Sequence, residues 1–404
     1  MKFLLVPENN SLSHIAKALV IRRGLLERGH EVLLAVGRRR APFLEQINTP
    51  YAVLPDIQEQ DCAGFPSVAW FRDAAAIRGV IEAERRLLED YCPDRVLGIF
   101  RFTLKASAQL AGIPYDSLIC GCLLPGACDA YGYLPGESGA QQQAELMSGF
   151  FRYAGARLNR AMADCGLPGV TDAREMLLGE RTFLWDYPEF FPAELPPGCV
   201  HVGMLNCTDW PMDQSDWQDF EQFEGRPLAV LTFGTCVGDR EIARFIKQQL
   251  GELGFHVLLA AGGQPEMVKG LKRSPWLSVC SFAPLHQLWP RVRLLVSHGG
   301  QATVFEALRH RVPVAVFPFQ PEQAHNGACL ESLGCGKRLT PGQPFLGKPK
   351  VYEEALLAGG RGSFRRIISD LCDPRTAESL NRAQAWLNRN QGLPDLLPLL
   401  DGGS

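Results

Sequence analysis

The segment from Leu294 to Gly336 restricts the possible folds of this 404-residue chain more than any other feature. Leu294 to Val296 is a short apolar run, typical of a buried strand, and it ends in Ser297-His298-Gly299-Gly300, where the backbone can turn tightly. Apolar residues then follow helical spacing from Thr303 to Leu308, and a second strand covers Val314 to Phe317. This order predicts a parallel sheet with a loop whose free N–H groups suit a phosphate.

The same alternation of strands and helices runs through both halves of the chain. The first half opens with a strand at Phe3–Pro7, a helix at about Ser13–Arg28 and a strand at Glu31–Val36. A polar, acidic segment with tryptophans follows Cys207, and a new strand begins at Leu228. The pattern predicts an α/β protein, and its length suits two domains of about 200 residues.

Composition excludes several classes of function. The net charge of −3 gives no basic surface for nucleic acid, and no run of about 18 apolar residues could form a transmembrane segment. The apolar N-terminus is too short for a signal peptide, and thirteen cysteines without an export signal predict reduced thiols in a cytoplasmic protein. Cys120, Cys122 and Cys128 lack the paired spacing of a zinc site, so we expect no bound metal.

Beyond the glycine turn, further residues recur in a fixed order. They are His298-Gly299-Gly300, Thr303, Glu306-Ala307-Leu308, Val312-Pro313, Pro318, Glu322-Gln323 and Asn326. This set resembles the donor-sugar motif of family 1 glycosyltransferases, which include natural-product glycosyltransferases and glucuronosyltransferases. Three positions depart from the family pattern: Ala302 and Arg311 replace glycines, and Glu322 replaces the commoner aspartate.

The resemblance implies a binding role for each motif residue. His298 and the N–H groups of Gly299 and Gly300 would hold the diphosphate, with a hydroxyl from Thr303. The other implied donor contacts are Glu306 with the ribose, Glu322 and Gln323 with the transferred sugar, Gly234 and Thr235 with the diphosphate, and Phe282 and Ala283 with the base. The chain lacks the Asp-x-Asp triplet that metal-dependent glycosyltransferases use, so we expect a metal-independent site.

The resemblance also implies the GT-B fold, in which two Rossmann-like domains face each other across a cleft. Residues 1–207 would form the N-terminal acceptor-binding domain, residues 208–227 the linker, and residues 228–378 the C-terminal nucleotide-sugar-binding domain. Residues 379–404 would form a C-terminal helix and tail that pack back on the N-terminal domain.

His14 matches the catalytic histidine of the family. It begins a helix at the carboxyl edge of the first strand, where open α/β sheets bind ligands. A neutral imidazole can take a proton from an acceptor hydroxyl. The aspartate that orients this histidine in the family is missing, since the matching place holds Ile99, Phe100 and Arg101.

Three explanations for the missing aspartate stay open. A carboxylate from elsewhere, such as Glu8 or Asp73, could replace it; the acceptor could be acidic enough to need little help; or the transferase could be inactive. Acceptor selection falls to aromatic-rich loops at 55–90 and 123–155. The predicted acceptor-binding residues are Trp70, Phe71, Arg101 and Tyr131.

The sequence therefore predicts an inverting glycosyltransferase that uses no cofactor. It would move a sugar from a UDP- or TDP-sugar to a hydroxyl of a small lipophilic acceptor. The sequence does not determine whether the protein forms a homodimer. One alternative is a nucleotide-sugar 2-epimerase of the same fold, which would need no acceptor. The other is an auxiliary protein that binds a nucleotide or a partner transferase without catalysing transfer.

Overall fold

The computed structural model describes residues 1–402 apart from residues 10, 57–70, 72, 129, 206–224, 235–239, 272–273 and 341–348. The chain forms two compact units. The first unit comprises Met1–Asp129, Gln142–Trp210 and Asn390–Ser404, and the second comprises Ala130–Gln141 and Pro211–Arg389. Most of the predicted linker, 208–227, lies outside the described residues.

The first unit contains a seven-stranded parallel sheet. Its strands are β1 (Lys2–Pro7), β2 (Glu31–Gly37), β3 (Tyr51–Leu54), β4 (Arg95–Ile99), β5 (Tyr115–Ile119), β6 (Arg181–Leu184) and β7 (Cys199–His201). They lie in the order β3-β2-β1-β4-β5-β6-β7. The order reverses between β1 and β4, and such a switch point leaves a crevice at the carboxyl ends of the two strands.

The second unit contains a six-stranded parallel sheet. Its strands are β8 (Leu228–Thr232), β9 (His256–Ala260), β10 (Leu277–Cys280), β11 (Val292–Ser297), β12 (Val314–Val316) and β13 (Gly336–Arg338). They lie in the order β10-β9-β8-β11-β12-β13, which reverses between β8 and β11. Strands β8, β9 and β12 are buried along their whole length, because helices cover both faces of a parallel sheet.

The helices occupy the connections between strands. They are α1 (Leu12–Glu27), α2 (Ala41–Gln46), α3 (Ala74–Tyr91), α4 (Leu104–Ala111), α5 (Ala140–Ala163), α6 (Arg240–Glu252), α7 (Pro265–Val268), α8 (Leu285–Leu288), α9 (Gln301–Arg309), α10 (Pro321–Ser332), α11 (Pro349–Leu371), α12 (Pro374–Leu387) and α13 (Leu393–Asp401). Two Rossmann-like units with parallel sheets confirm the predicted fold class.

The C-terminal helices divide between the two units. Helix α12 stays in the second unit, where the Trp386 ring lies edge-on to Phe305 at 6.5 Å. Helix α13 belongs to the first unit, where Leu397 packs directly on Gly24 of α1. Gly392, at φ 74°, separates the two helices. The sequence predicts a single stretch, 379–404, that packs on the first domain, whereas the structure assigns this packing to the residues after 389.

Candidate functional site

His14 lies at the switch point of the first sheet. Strand β1 ends at Pro7, and the N–H of Glu8 donates to the carbonyl oxygen of Ile99 at 2.9 Å, which holds Glu8 against the end of β4. Ser11 then caps α1 by accepting from the N–H of Ser13 at 3.2 Å, so that His14 falls in the first turn of the helix. His14 Nδ1 lies 3.3 Å from Glu8 Oε2, and both side chains are buried.

Phe100 lies in the stretch 99–101, where the family resemblance gives an aspartate. Its ring centroid lies 5.3 Å from that of His14, with an angle of 35° between the planes. The Trp185 ring contacts the same imidazole at 5.8 Å. Asp73, the other carboxylate that the sequence offers, instead caps α3 by accepting from the N–H of Ala76 at 2.8 Å. Of the two predicted replacements, the structure therefore brings Glu8 to His14.

The turn between β11 and α9 is locked to the loop and helix that follow β12. Gly299 has φ 89°, and a Cβ atom at this position would lie 2.7 Å from the carbonyl oxygen of Gln323. Asn326 Nδ2 donates to the carbonyl oxygen of Gly299 at 2.9 Å. Gly300, at the N-cap of α9, has no side chain to cover the first turn of the helix. Only glycine fits at 299, and its N–H donates to Ser297 Oγ at 3.1 Å.

His298 lies at the switch point of the second sheet, against the end of β8. A Cβ atom on Gly234 would lie 2.7 Å from His298 Cε1, and one on Gly300 would lie 2.5 Å from His298 Nε2. Burial lowers the pKa of His298 to about 4, and a hydrogen bond with the backbone of Thr232 opposes this only in part. The imidazole is therefore neutral at pH 7, and its buried Nδ1 has no hydrogen-bond partner.

The other predicted donor-binding residues lie on α9, on α10 and in the loop after β10. Thr303 and Glu306 are one turn apart on α9, and both are half-buried. Glu322 lies in the first turn of α10, while Gln323 Oε1 accepts from the N–H of Phe319 at 2.9 Å and so holds the preceding loop. The half-buried Phe282 ring covers Gly263, and Ala283 is buried beside it in sequence. Thr235 lies outside the described residues.

The predicted acceptor residues are placed differently from the expectation. Phe71 is buried in the core, edge-on to the Phe102 ring at 5.8 Å. Arg101 is buried and donates through Nε to Glu84 at 2.7 Å, because a buried guanidinium needs a counter-charge. Tyr131 is fully buried in the second unit. None of these three presents an exposed face to an acceptor, and Trp70 lies outside the described residues.

A connection that the sequence does not reveal ties residues 130–141 to β13. Arg338 donates to both carboxylate oxygens of Glu137, at 2.8 and 2.7 Å, and to the carbonyl oxygen of Gly132 at 2.7 Å. The Tyr131 ring lies edge-on to His325 of α10 at 5.9 Å. No local pattern signals a contact between side chains 201 positions apart.

In the described part of the chain, no group of three or more histidine, cysteine or acidic side chains is arranged to hold a metal ion. Among the same residues, no helix is both long and apolar enough to span a membrane.

Comparisons with known proteins agree with this architecture. Residues 168–343 match the family described as UDP-glucoronosyl and UDP-glucosyl transferase. The chain is 25% identical over 422 residues to a PGL/p-HBAD biosynthesis rhamnosyltransferase of Mycobacterium bovis (strain BCG / Pasteur 1173P2), covering 98% of this chain and 89% of the relative.

Two solved structures share the fold over the whole chain. The glycotransferase of kitacinnamycin superposes with a TM-score of 0.75 at 18% identity, covering 100% of this chain and 98% of that one. The spinosyn rhamnosyltransferase SpnG complexed with thymidine diphosphate superposes with a TM-score of 0.68 at 17% identity, covering 99% of this chain and 100% of that one.

Proposed function

We propose, since this chain is a glycosyltransferase of family 1 with the GT-B fold, that it transfers a sugar from a UDP- or TDP-sugar to a hydroxyl of a small lipophilic molecule in a natural-product pathway. The observation that carries the proposal is the pairing of two sites, each at the switch point of its own sheet. One holds the buried Glu8–His14 contact, and the other holds the glycine turn at 298–300.

The second unit would bind the donor. The diphosphate would lie at the start of α9, whose N-cap Gly300 makes no side-chain cap and where the helix dipole favours negative charge. His298 lies against Gly234 and Gly300, and the resemblance implies that it would give the diphosphate a hydrogen bond. Glu322 and the amide nitrogen of Gln323 would contact the sugar hydroxyls. Metal independence is proposed from the missing Asp-x-Asp triplet in the sequence.

The first unit would supply the base. As the acceptor oxygen attacks the anomeric carbon, His14 Nε2 takes its proton, and the bond from that carbon to the diphosphate oxygen breaks. The diphosphate leaves with the bonding electrons and is stabilised by the 298–300 turn and α9. A single displacement of this kind inverts the anomeric centre.

The choice of donor is guided by the similar proteins. A similar mycobacterial protein is named a rhamnosyltransferase, and a solved spinosyn rhamnosyltransferase holds thymidine diphosphate. We therefore propose TDP-activated 6-deoxyhexoses, rhamnose first, as the donors to try before UDP-hexoses.

Calorimetric titration with TDP and UDP, with and without EDTA, tests the donor site. Binding should be equal in the two conditions, and a strict need for magnesium or manganese would contradict metal independence.

His298→Ala should weaken binding of TDP by roughly 1.5–3 kcal/mol, the usual worth of a hydrogen bond to a charged group. His286→Ala, which removes an exposed histidine from α8, is the matched control and should bind normally. If folded His298→Ala binds TDP with an unchanged dissociation constant, His298 shapes the turn but does not contact the diphosphate.

A further inference from the structure

We propose that Glu8 is the positioning residue of His14, and that this chain has moved the orienting carboxylate from the end of β4 to the end of β1. The inference rests on the proposed role of His14 as the base. It is specific to this chain, because the place at the end of β4 that the family resemblance gives to an aspartate holds Ile99, Phe100 and Arg101.

The first argument is the geometry of the pair. Glu8 Oε2 lies 3.3 Å from His14 Nδ1, and the exposed fractions of the two side chains are 2% and 11%. A backbone hydrogen bond to Ile99 fixes Glu8 at the switch point. A carboxylate on Nδ1 selects the tautomer that carries its proton there, and this leaves Nε2 as the proton acceptor.

The second argument is the packing of the imidazole ring. Phe100 has φ 55°, a backbone conformation that bulky residues adopt only where their surroundings impose it. In this position its ring lies against His14 at 5.3 Å, and Trp185 contacts the imidazole at 5.8 Å. Two apolar rings fix the plane of the imidazole but cannot select its tautomer. The carboxylate of Glu8 supplies that selection.

The other charged side chains of neighbouring segments have partners of their own. Lys17, one turn further along α1, places Nζ 4.4 Å from the Trp185 ring centre. Asp186, which follows β6, accepts from the N–H of Gly121 and contacts His201 Nδ1 at 2.8 Å. Arg101 is paired with Glu84. His14 itself pairs with the carboxylate of Glu8, at 3.3 Å.

Glu8→Gln is the direct test, because it keeps the size of the side chain and removes its charge. The turnover number should fall by about 10- to 100-fold, the usual effect of removing such a partner, while KM for the donor stays the same. The shape of the pH–rate profile should change as well, because the substitution removes the charge beside the imidazole. Glu8→Asp keeps the charge on a shorter stem, so its rate should lie between those of wild type and Glu8→Gln.

Asp73→Asn is the matched control. It neutralises the other carboxylate that the sequence offers, and asparagine still caps α3, so rate and pH profile should stay at the wild-type values. A Glu8→Gln protein that binds nucleotide and transfers sugar with the wild-type rate and pH profile would overturn the proposal. If His14→Ala still lowers transfer by about 10²–10⁴-fold in that case, the proposed function stands.

A measurement that needs no enzymatic activity distinguishes failure of the proposed function from failure of the proposed role of Glu8. The ring ¹⁵N shifts of His14 should show a proton on Nδ1 in the wild type and a mixture of tautomers in Glu8→Gln. If wild type transfers no sugar but the tautomer changes in this way, the proposed function fails and the Glu8 contact stands. The same tautomer in both proteins would overturn the role of Glu8.

Discussion

Gly299 shows how one residue type determines the shape of the predicted diphosphate loop. Its φ of 89° disfavours any side chain, and a Cβ atom would also collide with the backbone of Gln323. Gly299→Ala should therefore destabilise the second unit by more than the roughly 1–2 kcal/mol of left-handed strain alone. It should also abolish detectable TDP binding, because the loop must move away from α10. Chemical denaturation and calorimetry would measure the two effects.

Gly254 provides the control for backbone strain. It has φ 87°, close to that of Gly299, but a Cβ atom there would meet nothing within 4 Å. Gly254→Ala should cost about 1–2 kcal/mol and leave TDP binding intact. If the two variants lose the same stability and both bind TDP, contact with Gln323 does not determine the loop.

Two half-buried histidines predict how stability depends on pH. Burial lowers the pKa of both His298 and His325 to about 4, below the usual 6.5 of an unfolded chain. Between these values the unfolded chain binds more protons, so the stabilisation is complete above pH 6.5 and is lost as the pH falls toward 4. His325→Gln should flatten the pH dependence of the urea midpoint over this window. An identical slope in variant and wild type would contradict the assignment.

At the scale of single elements, the sequence predicts most of what local pattern determines. The strand that ends in His298-Gly299-Gly300 and the helix after it follow from apolar spacing and glycine, and both are found. Glu8 was only one of two candidate partners for His14, because the approach of the two side chains depends on the path of the loop between them. Phe71 and Arg101 are buried in the structure, since aromatic and basic residues near a loop can also pack in the core and pair there.

The sequence does not predict that residues 130–141 belong to the second unit. This segment follows β5 in the chain, yet it belongs to the second unit through Arg338 of β13. Burial alone would lower the pKa of Arg338, but hydrogen bonds with Glu137 and Glu331 outweigh it and raise the pKa. Such pairing depends on tertiary structure, and a separation of 201 positions leaves no periodic signal.

Arg338→Met should release this segment. Loss of one partner from a buried ion pair costs about 3 kcal/mol, at the low end of the usual range because Glu137 is 31% exposed. Amide hydrogen exchange should quicken in residues 131–137. Arg375→Met is the control, since Arg375 is 88% exposed and its pairing with Asp373 should contribute little. Unchanged exchange in Arg338→Met would show that other contacts hold the segment.

At the scale of the whole molecule, the account assigns the base and the donor site to different compact units. His14 and Glu8 belong to the first unit, and the 298–300 turn belongs to the second. The first unit also holds the C-terminal helix α13, which packs on α1, and the second unit also holds residues 130–141. Composition and spacing do not predict the placement of residues 130–141, because it depends on a contact with β13, far along the chain.

His14→Ala tests the central claim most directly, because it should separate binding from transfer. The dissociation constant for TDP should stay at the wild-type value, since the substitution leaves the second unit unchanged. Sugar transfer to one aglycone should fall by about 10²–10⁴-fold, the usual worth of a general base. Equal transfer rates for wild type and His14→Ala at neutral pH would contradict the account.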